Sequence, residues 1–163
     1  MIANTAPIPV RTRRLQLVVG LCSVVFTVGT ALHNFAVIDV SVIEEMMRSA
    51  GGADPAGEAP GFTSGFRLVG SFYIAANAVG VLALWFRPRW LYWWVLAVNV
   101  TQGLGWVMIP PQMWSVAAEH HGAAAVLPSA VTDGGAVLLS IVLIVALVRH
   151  RAVWGGGAVL DRP

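Results

Sequence analysis

Eight residues with polar, charged or amphipathic side chains lie within long apolar segments or at their edges. Because polar groups are costly to bury in hydrocarbon, those inside a membrane segment usually mark a site or an interhelical contact. A histidine there could carry a proton or ligate haem, amides could bond a ligand, and an arginine could pair with an aspartate. The candidates for a ligand-binding cluster are His33, Asn34, Arg67, Asn77, Asn99, Gln102, Trp106 and Asp133.

Helical periodicity places these side chains on one stripe of each apolar segment, so the stripes should face one another. At about 1.5 Å per residue, Asn77 lies roughly 15 Å beyond Arg67, near the middle of a bilayer. His33, Arg67 and Asp133 lie close to one edge, which we predict to be the outer one. The opposite half reads as nearly all apolar, which argues against a continuous ion pathway. The pattern favours an outward-facing pocket or a structural polar lock.

Several of these residues also have structural interpretations. Arg67 could reach the outer headgroups or pair with Asp133, and Asp133 could instead cap the fourth helix. The amides of Asn77, Asn99 and Gln102 are more often interhelical hydrogen-bonding groups than ligand contacts. Both interpretations stay open from the sequence alone.

The sequence gives little support for a metal site or for a reactive cysteine. The histidines of Glu119-His120-His121 would point about 100° apart on a helix, so one ion would need further ligands. Cys22 is the single cysteine, which excludes an intramolecular disulfide and a cysteine metal cluster. We therefore predict no metal and no bound cofactor.

Composition assigns the chain to the membrane class. It is 57% hydrophobic and 11% charged, with a mean hydropathy of +0.74, whereas soluble proteins are about 25% charged. All the basic residues are arginines and they flank the apolar segments, so the net charge of +2 indicates topology and argues against nucleic-acid binding. The load of arginine, alanine, glycine and valine is typical of a GC-rich bacterial genome. We predict a multi-pass protein of the bacterial plasma membrane.

The predicted fold class is an all-α membrane protein with four transmembrane helices in an antiparallel bundle. A span takes about 20 mostly apolar residues, and four such segments form one domain over 15–148. The Arg87-Pro88-Arg89 turn separates two spans, and arginines before the first and after the last span predict both termini in the cytoplasm. The spans are 15–36, 66–86, 90–109 and 128–148, and the cytoplasmic tails are 1–14 and 149–163.

Two outer connections join the spans. The first, 37–65, contains an amphipathic segment, Val37–Arg48, which either lies on the membrane or extends the first helix outward. A surface helix without a partner is the favoured interpretation of this segment. The rest, Ser49–Ser64, is rich in glycine, alanine and proline and is predicted to be a mobile linker. The second connection, 110–127, is predicted to be a loop.

The stretch RLVGSFYIAANAVGVLAL, which starts at Arg67, resembles the Arg-x-x-Gly…Gly pattern of small bacterial DoxX-like membrane proteins. The matching positions are Arg67, Gly70 and Gly80. The resemblance implies a four-helix membrane bundle, and its namesake is a quinone-linked thiosulfate oxidoreductase subunit. A redox cysteine pair, a second histidine at matching depth and a quinone motif are all missing from the sequence, so nothing in the residues supports carrying that activity over to this chain.

Three function classes follow from these observations. The favoured one is a non-enzymatic protein of the lipid bilayer that binds a small lipophilic ligand or serves as accessory subunit to other membrane subunits. The second is a small transporter, which would have to form a homo-oligomer. The third is a membrane-embedded oxidoreductase subunit that uses His33, Arg67 and Asp133.

Overall fold

The computed structural model describes residues 9–108 and 111–155, and within these ranges the chain is helical without a β-strand. Short π or 3₁₀ segments join or extend several of the helices. They are His33–Val37, Val81–Leu84, Ala123–Val126, Ala130–Gly134 and Val153–Gly155. The α-helices are α1 (Val10–Leu32), α2 (Val40–Ser49), α3 (Pro55–Gly80), α4 (Arg89–Met108), α5 (Pro111–His121), α6 (Leu127–Ser129) and α7 (Gly135–His150).

Three continuous helical segments in the described chain are long and apolar enough to cross a membrane. They are Val10–Val37, Pro55–Leu84 and Ala123–His150, with mean hydropathies of 2.0, 1.5 and 2.4. α1 packs against α3, and α4 packs against α7 and α3. Large apolar side chains such as Leu68 and Leu138 remain exposed on the outside of the bundle, where hydrocarbon would cover them. The membrane class predicted from composition is thus supported.

The two ends of the bundle differ in charge. One end, here called the arginine end, holds the start of α1, the turn between α3 and α4, and the end of α7. The opposite end carries every acidic residue of the described ranges and is called the acidic end. The arginine end carries Arg11, Arg13, Arg14, Arg87, Arg89, Arg149 and Arg151, and the acidic end carries Asp39, Glu44, Glu45, Asp54, Glu58, Glu119 and Asp133.

Two aromatic residues of α4, the buried Tyr92 and the more exposed Trp94, are hydrogen-bonded to neighbouring helices. The Tyr92 hydroxyl donates to the Leu143 carbonyl over 2.6 Å, and the Trp94 indole N–H donates to the Ala76 carbonyl over 3.0 Å. These bonds join α4 to α7 and to α3. Trp94 therefore helps to hold α3 and α4 together.

The predicted mobile linker over Ser49–Ser64 is wrong for most of its length, because α3 begins at Pro55. The Asp54 carboxylate accepts from the Gly57 N–H over 3.1 Å and caps the helix, and proline suits a first helical turn. The Thr63 hydroxyl donates to the Ala59 carbonyl over 2.7 Å, one turn back. Prolines and glycines that are typical of a linker are accommodated here within a capped helix.

The amphipathic segment forms a separate helix with partners of its own. Ile38 is extended, so the chain turns between α1 and α2, and Asp39 caps α2 by accepting from the Val42 N–H over 2.9 Å. α2 packs on α3 and α5, and it buries Val42, Ile43 and Met46. The interpretations as an extension of the first helix and as a surface helix without a partner are both wrong.

The loop predicted over 110–127 contains helix α5 at Pro111–His121, while 109–110 lie outside the described residues. Val116 and Ala117 of α5 are buried in a small apolar cluster with residues of α2. The His121 Nε2 atom lies 3.8 Å from the Asp39 carboxylate. α2 and α5 thus form a cap over the acidic end of the bundle.

Lowering the pH should destabilise helix α2, because Asp39 caps its N-terminus. Hydrogen bonds from the Ser41 hydroxyl and the Val42 N–H hold the pKa of Asp39 below its ordinary value of 3.8. A lowered carboxyl pKa stabilises the fold at pH above the unfolded value, and this stabilisation is lost as pH falls through the folded value. We expect Asp39→Ala to lose about 1 kcal/mol near neutral pH, as for other helix caps, and to match the wild type in strong acid. Thermal unfolding across pH checks this, with exposed Glu119→Ala as the control that should show no such difference.

Substitution by alanine at two glycines of α3 should change the stability of the protein in opposite directions. A Cβ atom on Gly80 would lie 2.3 Å from the Ser23 hydroxyl oxygen of α1, whereas one on Gly65 would meet nothing within 4 Å. Gly80→Ala should therefore cost about 1–3 kcal/mol through overpacking. Gly65→Ala should stabilise the protein by about 0.5–1 kcal/mol through helix propensity. Unfolding in mild detergent measures both, and a Gly80→Ala variant as stable as Gly65→Ala would contradict the close α1–α3 packing.

Candidate functional site

A cavity of about 260 Å³ lies among the helices near the acidic end. Most of its surface is apolar, but several polar side chains line it, and it is here called the polar cavity. Four of the eight predicted residues line it: His33, Asn34, Gln102 and Asp133. They come from α1 and its π extension, from α4, and from the π segment before α7. The remaining lining residues are Thr30, Phe66, Val69, Gly70, Tyr73, Thr101, Gly105 and Thr132.

Three titratable residues line this polar cavity, and two of them, His33 and Asp133, lie in π-helical segments, whereas Tyr73 lies in α3. His33 begins the segment His33–Val37, whose wide turn is closed by the Ile38 N–H donating to the His33 carbonyl over 3.0 Å. Asp133 lies in Ala130–Gly134. Short π segments inside helices are uncommon and recur at functional sites, because the extra residue shifts side chains away from the regular helical stripe.

Gln102 is the centre of a hydrogen-bond network that joins the helices. Its side-chain oxygen accepts from the Asn77 amide over 2.8 Å. Its amide nitrogen donates to the Thr30 hydroxyl over 3.2 Å and to the Asp133 carboxylate over 3.1 Å. Asn77 and Gln102 are buried, so the bonds are shielded from water. The network fixes α1, α3, α4 and the last helix around the polar cavity.

The Asp133 carboxylate receives further donors from its own helical segment. The Ser129 hydroxyl donates to one carboxylate oxygen, and the Thr132 hydroxyl donates to the other over 3.3 Å. Asp133 lies inside a helical segment, so the interpretation as a helix cap is wrong. Its neighbours hold the carboxylate as an acceptor facing the cavity.

Asp133 does not pair with Arg67, so the ion pair considered from the sequence is not formed among the described residues. The Arg67 guanidinium instead donates to the Ile38 carbonyl over 3.4 Å, and its Nε atom is buried without a partner. Hydroxyl and amide donors already surround Asp133. Arg67 fastens the turn between α1 and α2, and it does not line the polar cavity.

Two buried polar atoms at the polar cavity have no hydrogen-bond partner: His33 Nδ1 and Asn34 Oδ1. The Asn34 amide nitrogen donates to the Arg67 carbonyl over 3.2 Å, which fixes the orientation of its side chain against Gly70. Buried polar groups are nearly always paired in proteins. Both atoms are buried, so a ligand or water would have to displace neighbouring groups to complete their hydrogen bonding.

A second cavity of about 220 Å³ lies under the α2–α5 cap and is almost wholly apolar. His33 and Phe66 line both cavities, and their rings meet edge to face with centroids 6.1 Å apart. This apolar cavity lies beside the polar one, behind a wall of two side chains. Its other lining residues are Ile38, Ile43, Met46, Met47, Ala50, Phe62, Trp114, Ala117 and Ala125.

Three other predicted residues do not line the polar cavity. Asn77 lies behind it and supports Gln102, as described above. Asn99 donates to the Val95 carbonyl of its own helix over 2.8 Å, which leaves its oxygen unpaired. Trp106 stacks at a tilt on Trp114 with centroids 4.7 Å apart. Asn77 and Trp106 therefore act in helix packing.

The sequence interpretation missed three sets of residues. Thr132 was outside the predicted polar stripe, although its hydroxyl contacts Asp133. The aromatic walls formed by Phe62, Phe66 and Trp114 carried no polar signal. The half of the bundle at the arginine end also buries Thr12 and Gln16, because α1 begins at Val10 and not at residue 15. That half is therefore less apolar than predicted.

The described residues hold no group of three or more histidine, cysteine or acidic side chains arranged to bind a metal ion. His120 and His121 have ring centroids 6.2 Å apart, and His121 faces Asp39. Cys22 is a partly buried free thiol in α1.

Comparisons with family models, curated proteins and solved structures found no match to this chain. The resemblance to DoxX-like proteins therefore stays a prediction. The function has to be argued from the two cavities and the residues that line them.

Proposed function

We propose that the chain crosses the membrane four times, with the arginine end in the cytoplasm. Helix α4 has 20 residues, which corresponds to about 30 Å and matches a bilayer core. Its outward side exposes Trp93, Leu104 and Val107. The separation of arginines and carboxylates between the two ends supports this orientation through the positive-inside rule. Both cavities then lie in the outer half of the membrane.

The function we infer is non-enzymatic binding of a small lipophilic molecule with a polar head. The observation that carries it is the shared wall of His33 and Phe66 between the polar and the apolar cavity. Together the cavities reach the lower part of the size range of small-molecule sites, about 300–1,000 Å³. A ligand that displaced the wall could place its head beside Asp133 and its apolar body beneath the cap.

The chemistry of the head follows from the groups that face it. The Asp133 carboxylate and the Asn34 side-chain oxygen are acceptors, and the remaining acidic residues surround the same end. A hydroxyl or a protonated amine would satisfy them, whereas an acid would be repelled by Asp133. Met46, Met47 and Trp114 offer adaptable apolar contacts to the body of the ligand.

Purification in mild detergent, with mass spectrometry of the extract, tests this proposal. We expect a lipophilic alcohol or amine to co-purify with the wild type and to be absent from His33→Phe. The control is His120→Phe, an exposed histidine at the same end that lines neither cavity. Equal retention by both variants would overturn the proposal.

Added probes keep the test decisive where the native ligand is lost on extraction. Short-chain alkyl alcohols, amines and carboxylates of the same length are compared in nanodiscs. A ligand that binds the folded state raises the unfolding temperature. The alcohol and the amine should raise it and the carboxylate should not. An unfolding temperature that no probe raises, or that all three probes raise equally, would contradict the proposal that the ligand has a hydroxyl or amine head group.

A second candidate is a small transporter that works as an oligomer. It is favoured by the buried polar side chains that follow α1 through the bundle, from Thr12 and Gln16 past Ser23 to Asn34. Tightly packed Val19 and Phe26 interrupt this polar stripe. Uptake of the co-purifying molecule into vesicles would favour the transporter, whereas a visible absorbance band would favour an oxidoreductase subunit.

A further inference from the structure

A third cavity, of about 790 Å³, lies at the arginine end, far from the site described above. It is formed by the start of α1, the turn between α3 and α4, and the segment after α7. Its walls combine three kinds of side chain: a hydroxyl, two guanidinium groups and indole rings. The residues that matter here are Thr12, Arg87, Arg89, Trp85, Trp90 and Trp154.

The segment after α7 folds back to close one side of this arginine-end cavity. Arg151 ends α7 in the left-handed conformation, with a φ of 48°. Trp154 also has a positive φ, of 63°, and its indole N–H donates to the Pro88 carbonyl over 3.1 Å. The Trp154 ring packs edge to face on Tyr92, with centroids 5.4 Å apart. Trp154 therefore holds in place the turn that carries both arginines.

The two arginines lack acidic partners in the described part of the chain. The ion pairs there involve Arg48 with Glu44 and Glu45, and His121 with Asp39, all at the acidic end. Arg87 and Arg89 make no side-chain hydrogen bond to another described residue. Two neighbouring guanidinium groups without a counter-charge attract an anion, and their planar donors suit phosphate oxygens.

Thr12 is a second, independent feature that points to a ligand in this cavity. Its side chain lines the cavity and is 3% exposed, yet its hydroxyl has no hydrogen-bond partner. One turn further along α1, the Gln16 side-chain oxygen is also buried without a partner. Thr12 lies in the first turn of α1, so no preceding helical turn offers its hydroxyl an acceptor. Buried polar groups are nearly always paired, so this hydroxyl has a hydrogen bond left for a ligand to complete.

We propose that this cavity binds the phosphate group of an anionic phospholipid headgroup. Arg87 and Arg89 contact the phosphate oxygens, and the Thr12 hydroxyl donates to the headgroup. Trp85 and Trp90 flank the arginines and lie at the level of the glycerol backbone, where indole rings are favoured in membranes. Arginines near a membrane surface contribute to binding of anionic lipids. The site is independent of the ligand proposed for the acidic end.

Native mass spectrometry of the full chain, titrated with phosphatidylglycerol or phosphatidylcholine, tests the site. We expect preferential retention of phosphatidylglycerol. Arg87→Gln/Arg89→Gln should weaken it by about 25-fold, which corresponds to about fivefold for each arginine. The control is Arg13→Gln/Arg14→Gln, which removes the same charge from the same end at positions outside the cavity. Equal losses of phosphatidylglycerol binding in the two double variants would show only general electrostatic attraction to this end of the protein. That result would overturn the proposed site.

Two further measurements distinguish a bound lipid from a bound free anion. Thr12→Val removes an unpaired hydroxyl at nearly constant shape, so it should leave the fold at least as stable. It should nonetheless weaken phosphatidylglycerol binding by about fivefold, the effect of one hydrogen bond. Displacement of phosphatidylglycerol by millimolar inorganic phosphate would overturn the assignment to a lipid, because the free anion would then be the ligand. Retention in phosphate buffer supports the lipid.

Discussion

Replacing Trp154 with alanine should lower the free energy of unfolding by about 3–4 kcal/mol, the loss typical of a buried tryptophan. Trp154 is 4% exposed and belongs to the main core with Tyr92 and Leu143. Its removal opens a space against Tyr92 and leaves the Pro88 carbonyl without its donor. Both losses fall at the turn between α3 and α4. The variant should therefore also loosen the arginine end.

Unfolding in mild detergent measures this loss, with Trp85→Ala as the control. Trp85 lies at the same end but is 66% exposed, so its removal should cost less than about 1 kcal/mol. Trp154→Phe keeps an aromatic ring and loses the N–H donor, and it should fall between the wild type and Trp154→Ala. Equal losses for Trp154→Ala and Trp85→Ala would show that the segment after α7 does not pack on the bundle.

The example of Trp154 shows where sequence patterns stop being informative. Long apolar segments predicted helices that can cross a membrane, and Arg87-Pro88-Arg89 predicted the turn between α3 and α4, because span length and charge are local properties. Trp154 lies in a stretch predicted to be a cytoplasmic tail. Its burial depends on two residues with positive φ that reverse the chain, and neither is a glycine. Such a reversal has no compositional signal.

The prediction of where α3 begins was wrong for a related reason. Glycine and proline just before α3 and in its first turns are typical of a linker, although Asp54 and Pro55 are also a cap and a first-turn proline. The choice between the two is made by packing, since Ala59 is fully buried in the cluster beneath α2 and α5. A partner elsewhere in the chain therefore decides whether the segment is helical.

The site was predictable in its polar half only. His33, Asn34, Gln102 and Asp133 stand out against an apolar background, and they do line one cavity. Charge alone suggested the wrong partner for Asp133, because opposite charges near one edge do not reveal the nearer hydroxyls. The apolar cavity arises from the docking of α2 and α5 onto the bundle. That contact is tertiary, so no periodic pattern in the sequence predicts it.

Asp133→Ala should combine a large loss of stability with a loss of ligand. Removal of the carboxylate leaves the Gln102 amide and the Ser129 and Thr132 hydroxyls without this acceptor. Hydrogen bonds to charged groups contribute about 1.5–3 kcal/mol each, and the partly exposed cavity allows water to replace some of them. We expect a net loss of about 3 kcal/mol. Asp133→Asn keeps one acceptor oxygen and should lose about half as much.

A double-mutant cycle of Gln102→Leu with Asp133→Ala separates the network from general damage. The two side chains bond directly, so their losses should be less than additive by about 1 kcal/mol, within the range for contacting residues. Asp133→Ala with Gly65→Ala provides the uncoupled pair, because a Cβ atom on Gly65 would meet no other element. Additive losses in the first pair would mean that the bond contributes nothing to stability. The cavity would then lack the rigid polar wall that its proposed selectivity for hydroxyl and amine heads requires.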